Sequence, residues 1–222
     1  MHVIFRESHG LDEADTPQDL RQTPADLVVL SLSDSDLGAF ASGWRRAKAT
    51  AGADMPSLRL ANLVALKHPL SVDTYIDNTL HAARGILIRL IGGVPYWPYG
   101  LQSVAALARE KGIALAILPA DGRQDTQLDE LSTLPISTLR RLGDLCATGG
   151  PVAAHAALAQ LALAAGLYAT PVLGAKALPI YGFWAPKQGL TSPLITETTE
   201  HAAPRLAITF YRSFLSAGDT SP

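Results

Sequence analysis

The sequence predicts an α/β fold in which a mainly parallel sheet, of the Rossmann or flavodoxin type, is flanked by helices. Four short apolar runs carry this prediction, at Leu27–Leu32, Leu58–Leu63, Ile86–Ile91 and Ile113–Leu118. Each run is followed by turn residues and then by a segment whose apolar residues have helical spacing. Strands covered on both faces have continuous apolar runs of this kind, so we expect one sheet with helices on its two faces.

The helices between these runs have recognisable starts and stops. After the first run, Ser33 precedes Asp36 by three residues, which is a capping spacing that also places acid at the positive end of the helix dipole. After the second run, Ser71 is the expected N-cap of the next helix. The third run leads into a helix with Pro98 in its first turn and Gly112 at its end.

The remainder of the chain predicts the beginning of a second α/β unit. It should contain an alanine-rich helix over Ala153–Leu167 and strands at Leu178–Trp184 and Leu206–Tyr211. The resulting division is an N-terminal α/β domain over 1–120, a linking helical segment over 121–150 and the truncated second unit over 151–222. Because the chain ends in a turn directly after a predicted strand, we expect it to be a fragment of a longer protein.

Composition narrows the class of protein. The chain has 222 residues, of which 48% are hydrophobic and 17% charged, which is enough apolar material for a core. A net charge of −2 without a basic cluster argues against a nucleic-acid partner. The single cysteine excludes an internal disulfide, and the N-terminus has no apolar signal segment, so we expect a cytoplasmic protein. Residues 151–175 are interrupted by His155 and Gln160, which favours a buried helix over a membrane span.

Common catalytic and nucleotide-binding motifs are missing from the sequence. It contains no G-x-x-x-x-G-K-[ST] phosphate loop, so we do not expect this chain to hydrolyse ATP by itself. It also has no G-x-G-x-x-G, G-x-S-x-G or H-E-x-x-H motif, and its six histidines form no pair at i, i+4 spacing. No metal ligands and no cofactor bound by this chain are therefore predicted.

Ligands of parallel sheets meet the carboxyl ends of the strands, and polar residues lie in or just after the end of each of the four predicted strands, with Asp121 after the fourth. The candidates are Asp34, Asp36, Asn62, Arg89, Gly92 and Gly93. Arg89 is the most informative, because an arginine inside an apolar strand needs a partner. That partner is either the anionic group of a ligand or an internal ion pair with Asp34 or Asp36. Helix capping alone also accounts for the two aspartates.

The loop after the third strand adds three aromatic residues, Tyr96, Trp97 and Tyr99. They form either a platform on which a flat ligand stacks or a packed loop that contacts another domain. Both interpretations remain open from the residues alone.

Several of these segments resemble the N-terminal region of the CobN family, the large subunits of aerobic cobaltochelatase, which are homologous to the large subunit of magnesium chelatase. The resemblance runs in order through Ser31–Leu37, Pro56–Leu63, His68–Asp73, Arg89–Gly93, Tyr96–Gly100, Phe210–Ser213 and Ala217–Thr220. It therefore extends over nearly the whole chain.

The resemblance implies a function that the residues alone do not give. Subunits of this family bind hydrogenobyrinic acid a,c-diamide and insert cobalt(II) into it during cobalamin synthesis. Two partner subunits form an AAA+ motor that hydrolyses ATP with magnesium. Arg89 would then meet a carboxylate of the tetrapyrrole, and Tyr96 or Trp97 would stack on its ring. No catalytic residue is assigned. The alternative is a non-catalytic α/β module that binds a ligand or docks a partner.

Overall fold

A computed structural model of the chain describes residues 16–51, 55–169, 172, 181–185, 189–191 and 208–211. The strands are β1 (Leu27–Ser31), β2 (Leu58–Asn62), β3 (Gly85–Leu90), β4 (Ala114–Pro119), β5 (Phe183–Ala185) and β6 (Gly189–Thr191). The helices are α1 (Asp34–Ala51), α2 (Pro69–Asn78), α3 (Pro98–Lys111), α4 (Thr126–Leu131), α5 (Ile136–Thr148) and α6 (Gly150–Ala164). Short 3₁₀ turns follow β2, α2 and β3.

The four predicted apolar runs form one parallel sheet, which confirms the predicted α/β fold. The strand order is β2-β1-β3-β4, with β1 paired in parallel to both β2 and β3, and β3 to β4. This is the order of the first four strands of a flavodoxin-like sheet, whereas a Rossmann sheet begins 3-2-1-4. The connection reverses direction between β1 and β3, so this sheet has its topological switch point at the carboxyl ends of those two strands.

Helices cover both faces of the sheet, which explains why the strands are apolar without alternation. Val28 and Leu30 of β1 share a core with α2 and α3, whereas Leu27 and Val29 share the other core with α1, α5 and α6. All four side chains are at most 1% exposed. Full burial of one such side chain contributes about 1.5–3 kcal/mol. The alternation along each strand therefore assigns every side chain to one of two helical layers.

Three of the four predicted helix boundaries, at Ser33, Pro98 and Gly112, agree with the structure, and the one at Ser71 is wrong. The Ser33 hydroxyl accepts a hydrogen bond from the Asp36 N–H at 3.3 Å, and Gly112 ends α3 in the left-handed region at φ 67°. Ser71, however, is not an N-cap. The cap is His68, whose Nδ1 accepts from the Leu70 N–H, and the helix begins at the following proline. A residue before proline is held in an extended conformation, which ends the loop at His68.

Helix α6 agrees with the predicted alanine-rich helix and lies on the same sheet as the earlier elements. Its Leu158 and Leu161 share the core that contains β1 and β3. It crosses α1 at Gly43, where a Cβ atom would lie 2.7 Å from the His155 nitrogen and 2.9 Å from the Pro151 oxygen. The two helices thus meet backbone to backbone. The proposed division at 120 and 150 stays a prediction, because most of residues 170–222 lie outside the described ranges.

The end of the chain agrees less well with the predicted strands. The segment Leu178–Trp184 overlaps β5, which pairs with β6 in an antiparallel hairpin; residues 178–180 lie outside the described ranges. The predicted strand Leu206–Tyr211 is wrong for residues 208–211, which form no regular strand and leave Ile208 78% exposed; residues 206 and 207 are not described. Among the helices described, none is both long and apolar enough to cross a membrane.

Candidate functional site

Arg89 of β3 lies at the topological switch point and has an internal partner. Its Nη1 is 2.5 Å from Oδ1 of Asp36 in the first turn of α1. The other carboxylate oxygen, Oδ2, accepts a hydrogen bond from the hydroxyl of Ser31 at 3.0 Å. Ser31 and Arg89 are register partners on neighbouring strands. Of the two interpretations of Arg89, the ion pair with Asp36 is therefore present, and it connects β1, β3 and α1.

This ion pair leaves part of the guanidinium unused. Arg89 is only 8% exposed, and its Nε is fully buried without a hydrogen-bond acceptor among the described residues. A buried polar donor without a partner is unfavourable, by about 1–3 kcal/mol, and native structures contain few such groups. The unused Nε–H is therefore a feature that requires an explanation.

Asp34 and Asn62 form a second, separate contact. The Asn62 amide donates from Nδ2 to Oδ1 of Asp34 at 2.8 Å, and its Oδ1 accepts from the Val64 N–H at 3.0 Å. The latter bond caps the 3₁₀ turn at Leu63–Leu66. Both contacts are exposed to solvent. These two predicted site residues thus tie the start of α1 to the end of β2.

Trp97 packs in the core of the domain and is not exposed as a platform on which a ligand could stack. Its ring is 4% exposed and belongs to the core beneath α2 and α3, and its indole Nε1 donates to the Leu66 carbonyl at 2.8 Å. Gly100 makes room for the ring, because a Cβ atom there would lie 2.0 Å from it. Gly92 and Gly93 turn the preceding loop at φ 87° and 67°, which favours glycine.

Tyr96 and Tyr99 differ from Trp97, since each is 44% exposed. The Tyr99 hydroxyl donates to Oδ1 of Asp73 at 2.7 Å, and this hydrogen bond raises the pKa of Tyr99. Alternation along β3 puts Arg89 on the α1 and α6 side of the sheet, with Leu87, whereas Trp97 lies on the α2 and α3 side. The structure therefore does not bring Arg89 and Trp97 together.

A cleft of about 500 Å³ opens beside Arg89, and sequence reasoning missed it. It lies at the carboxyl ends of β3 and β4 and is bordered by α1, α5 and the beginning of α6. Its polar and glycine lining includes Asp36, Arg89, Asp121, Arg123, Gly149 and Gly150. The two glycines adopt φ 74° and 83° directly before and at the start of α6. The adjacent Gly149 and Gly150 are a signal in the sequence, but they lie at the end of the segment 121–150 that is predicted to link two units.

The other two arginines of the cleft, Arg123 and Arg140, already have carboxylate partners. Arg140 binds both carboxylate oxygens of Asp129, with Nη1 donating to Oδ1 at 2.9 Å. Arg123 donates through its N–H and Nε to the two oxygens of Asp121, both at 3.1 Å. These pairs leave Arg89 as the arginine with a buried, unpartnered donor in the described part of the cleft.

Cys146 also lines the cleft, and it is not an activated nucleophile. Burial raises the pKa of its thiol to about 11, although the nearby Arg89 guanidinium acts in the opposite direction. The thiol is therefore protonated at neutral pH, whereas nucleophilic cysteines have a lowered pKa. Within the described ranges, no three histidine, cysteine, aspartate or glutamate side chains are grouped so that they could hold a metal ion. The arrangement supports ligand binding better than covalent chemistry.

Comparison with known proteins gives two curated relatives and one solved structure. The aerobic cobaltochelatase subunit CobN of a Sinorhizobium species is 31% identical over 231 residues, and that of Pseudomonas aeruginosa is 34% identical over 232. Both alignments cover this whole chain, but the chain spans only 18% and 17% of those relatives. No family model matches the sequence.

The structural comparison concerns the fold. The catalytic subunit of cobaltochelatase from Mycobacterium tuberculosis superimposes with a TM-score of 0.61 over 87% of this chain and 14% of that subunit. The sequences are 24% identical over the match. The fold described above is thus similar to a portion of that larger subunit.

Proposed function

We propose that this chain forms part of the large subunit of an aerobic cobaltochelatase. The proposal starts from the similarity of the chain to the aerobic cobaltochelatase subunit CobN. One observation carries the proposal: two CobN relatives match the chain from end to end at 31% and 34% identity. The likeness of the fold to a portion of a cobaltochelatase subunit supports it. Since the chain spans less than a fifth of those relatives, the activity belongs to a larger assembly.

In this proposal, the assembly inserts cobalt(II), as substrate, into hydrogenobyrinic acid a,c-diamide. Partner subunits of the AAA+ class bind ATP with magnesium and drive the insertion. The chain has no phosphate loop of its own, which agrees with ATP hydrolysis on the partners. The cytoplasm is the proposed location, because it supplies the ATP.

Within this assembly, the predicted substrate-binding residues have different parts to play. Both Arg89 and Asp36 border the cleft, where Arg89 would meet the ligand and Asp36 would hold its guanidinium. Tyr96 and Tyr99 present partly exposed rings, and that of Tyr99 lies on the α2 side of the sheet, where its hydroxyl meets Asp73. Trp97, together with Gly92 and Gly93, shapes the loop that holds those rings. Asp34 and Asn62 are proposed to fix the neighbouring loop.

A segment exchange tests the proposed function. This chain replaces the matching segment of Pseudomonas aeruginosa CobN, and cobalt insertion is followed by absorbance with the AAA+ partners, ATP, magnesium and hydrogenobyrinic acid a,c-diamide. We expect the hybrid to insert cobalt and a CobN lacking the segment to be inactive. A hybrid that assembles and supports ATP hydrolysis but inserts no cobalt would contradict the proposal, as would an active deletion variant.

A second candidate, a non-catalytic docking module, is favoured by the apolar side chains exposed near the ends of β2 and β3. Val64, Leu70 and Ile91 are 48%, 57% and 53% exposed. The replacement Leu70→Ser with Ile91→Ser distinguishes the two functions. If the surface only docks a neighbouring domain or subunit, assembly is weakened while the precursor binds the isolated chain as before.

A further inference from the structure

In the cleft beside Arg89, two of the three carboxylates already have arginine partners, whereas a buried donor of Arg89 has none. Both oxygens of Asp36 are occupied, one by Arg89 and the other by the Ser31 hydroxyl. Both oxygens of Asp121 accept from Arg123. Asp144 also lines the cleft but is exposed, where water screens its charge. The Nε–H of Arg89, in contrast, is buried and has no acceptor in the part of the chain that the structure describes.

The start of α6 adds donors to the same cleft. Gly149 and Gly150 line it, and Gly149 has no side chain with which to cap the helix. The first N–H groups of a helix have no partner within it, and the helix dipole places partial positive charge there. In α6, Pro151 has no N–H and the Gly149 N–H donates to the Leu145 carbonyl, so the donor that this helix start offers at the cleft is the Gly150 N–H. Gly43 holds this end of α6 against α1, because Pro151 and His155 pack directly on its Cα. The helix terminus and the Arg89 side chain are therefore held against the same cleft.

We propose that this cleft is a carboxylate-binding site in which the Nε edge of Arg89 and the first turn of α6 receive the ligand's oxygens. A guanidinium edge presents parallel N–H groups that match the two oxygens of a carboxylate. The ion pair with Asp36 holds the guanidinium in place through Nη1 and leaves the Nε edge without a partner. Because Nε is buried, the ligand reaches it by displacing the side chains that cover it in the unliganded cleft.

The identity of the ligand rests on the proposed function: it is a carboxylate side chain of the tetrapyrrole precursor. A cleft of about 500 Å³ falls within the range of small-molecule sites, about 300–1,000 Å³. The cleft is thus large enough for one carboxylate side chain of the tetrapyrrole ring. Trp97 takes no part, because it lies on the opposite face of the sheet.

The experiment observes the Arg89 Nε–H directly by ¹H–¹⁵N NMR in the unaltered 222-residue chain, so that folding is not perturbed. Three probes are titrated separately: glutarate, inorganic phosphate and hydrogenobyrinic acid a,c-diamide. The Nε–H of Arg109 is the control, because this arginine lies on α3, away from the cleft, and donates from Nη2 to the Glu130 carbonyl. We expect glutarate and the precursor to move the Arg89 signal downfield and leave that of Arg109 in place.

Matched variants measure the effect on affinity. Arg89→Met, combined with Asp36→Asn to avoid an unpaired carboxylate, should weaken binding of the precursor at least tenfold. Arg109→Met removes the same charge elsewhere and should change the affinity less than twofold. If the Arg89 variant does not fold, the NMR titration of the unaltered chain decides alone.

The outcomes separate this proposal from the proposed function. If neither carboxylate moves the Arg89 signal, or if phosphate binds more tightly than both, the carboxylate site is refuted, whatever the hybrid chelatase does. If the precursor binds without moving that signal, the site is refuted while the chelatase function stands. If glutarate moves it and the precursor does not, the site is supported and its assignment to the tetrapyrrole is wrong.

Discussion

The contact of α1 with α6 at Gly43 predicts that a single methyl group will destabilise the fold. In Gly43→Ala, the new Cβ would lie 2.7 Å from the His155 nitrogen, 2.9 Å from the Pro151 oxygen and 3.1 Å from the Ala154 carbonyl carbon. Ordinary contacts begin at 3.4 Å. All three neighbours are backbone atoms of one helix, so rotation of a side chain cannot relieve the overlap. The two helices have to move apart.

The net effect is the difference between two opposing terms. Alanine is favoured over glycine within a helix by about 0.5–1 kcal/mol. Overpacking of a buried contact costs about 1–3 kcal/mol, and the rigid backbone neighbours place this site at the upper end. We therefore expect a loss of about 2 kcal/mol, which for a chain of this size lowers Tm by roughly 4–8 °C.

Gly143 provides the matched control for this prediction. It lies within α5, and no atom outside its own helix backbone and chain neighbours lies within 4 Å of a Cβ placed there. Gly143→Ala should gain only the helical preference of about 0.5–1 kcal/mol. Thermal unfolding followed by circular dichroism measures both variants. A Gly43→Ala protein that melts at or above the unaltered chain would refute the close contact.

Three other predictions concern separate parts of the chain. Gly100→Ala should displace the ring of Trp97, which its Cβ would otherwise overlap, and should red-shift tryptophan emission; unchanged emission would contradict this packing. Hydrogen bonds from Ser57 lower the pKa of Asp26, so its contribution to stability is full above its unfolded pKa of about 3.9 and is lost as pH falls through the lower folded pKa. Asp26→Asn should therefore reduce stability at pH 7 and flatten its decline below about pH 4, and parallel urea titrations of both proteins at several pH values check this. The Cys146 thiol, whose pKa burial raises to about 11, should react with iodoacetamide at pH 8 far more slowly than after unfolding in urea; equal rates would show that it is accessible.

The sheet was predictable because each strand is covered on both faces. Continuous burial gives a continuous apolar run, so β1 and β3 were evident before their pairing was known. It was also predictable that Arg89 needs a partner, because a charged side chain in a strand that is buried on both faces has to be paired. Its pairing with Asp36 was one of three options that the sequence allowed, the others being Asp34 and the anionic group of a ligand. Long-range packing then selected between them.

The cleft was not predictable, because its position depends on α6. This helix is apolar on all sides, so it lacks the stripe that would indicate which side faces the sheet. It was therefore assigned to a second unit, although it shares a core with β1 and β3. The separation of Arg89 from Trp97 has a similar origin. The alternation of side chains in β3 shows on which face of the sheet Arg89 lies. It does not show to which face the following loop turns, because that depends on the packing of Trp97 in the core beneath α2 and α3.

The return of α6 to the central strands has a consequence for synthesis of the chain on the ribosome. Leu27 and Val29 of β1 are made well before α6, which covers them together with α1 and α5 and ends only at Ala164. At about 5–20 residues per second, the intervening segment takes on the order of ten seconds to emerge. During that interval the part of this sheet face that α5 and α6 cover remains open to water and to other apolar segments. Chaperone binding to ribosome-bound chains should therefore persist until α6 has left the exit tunnel.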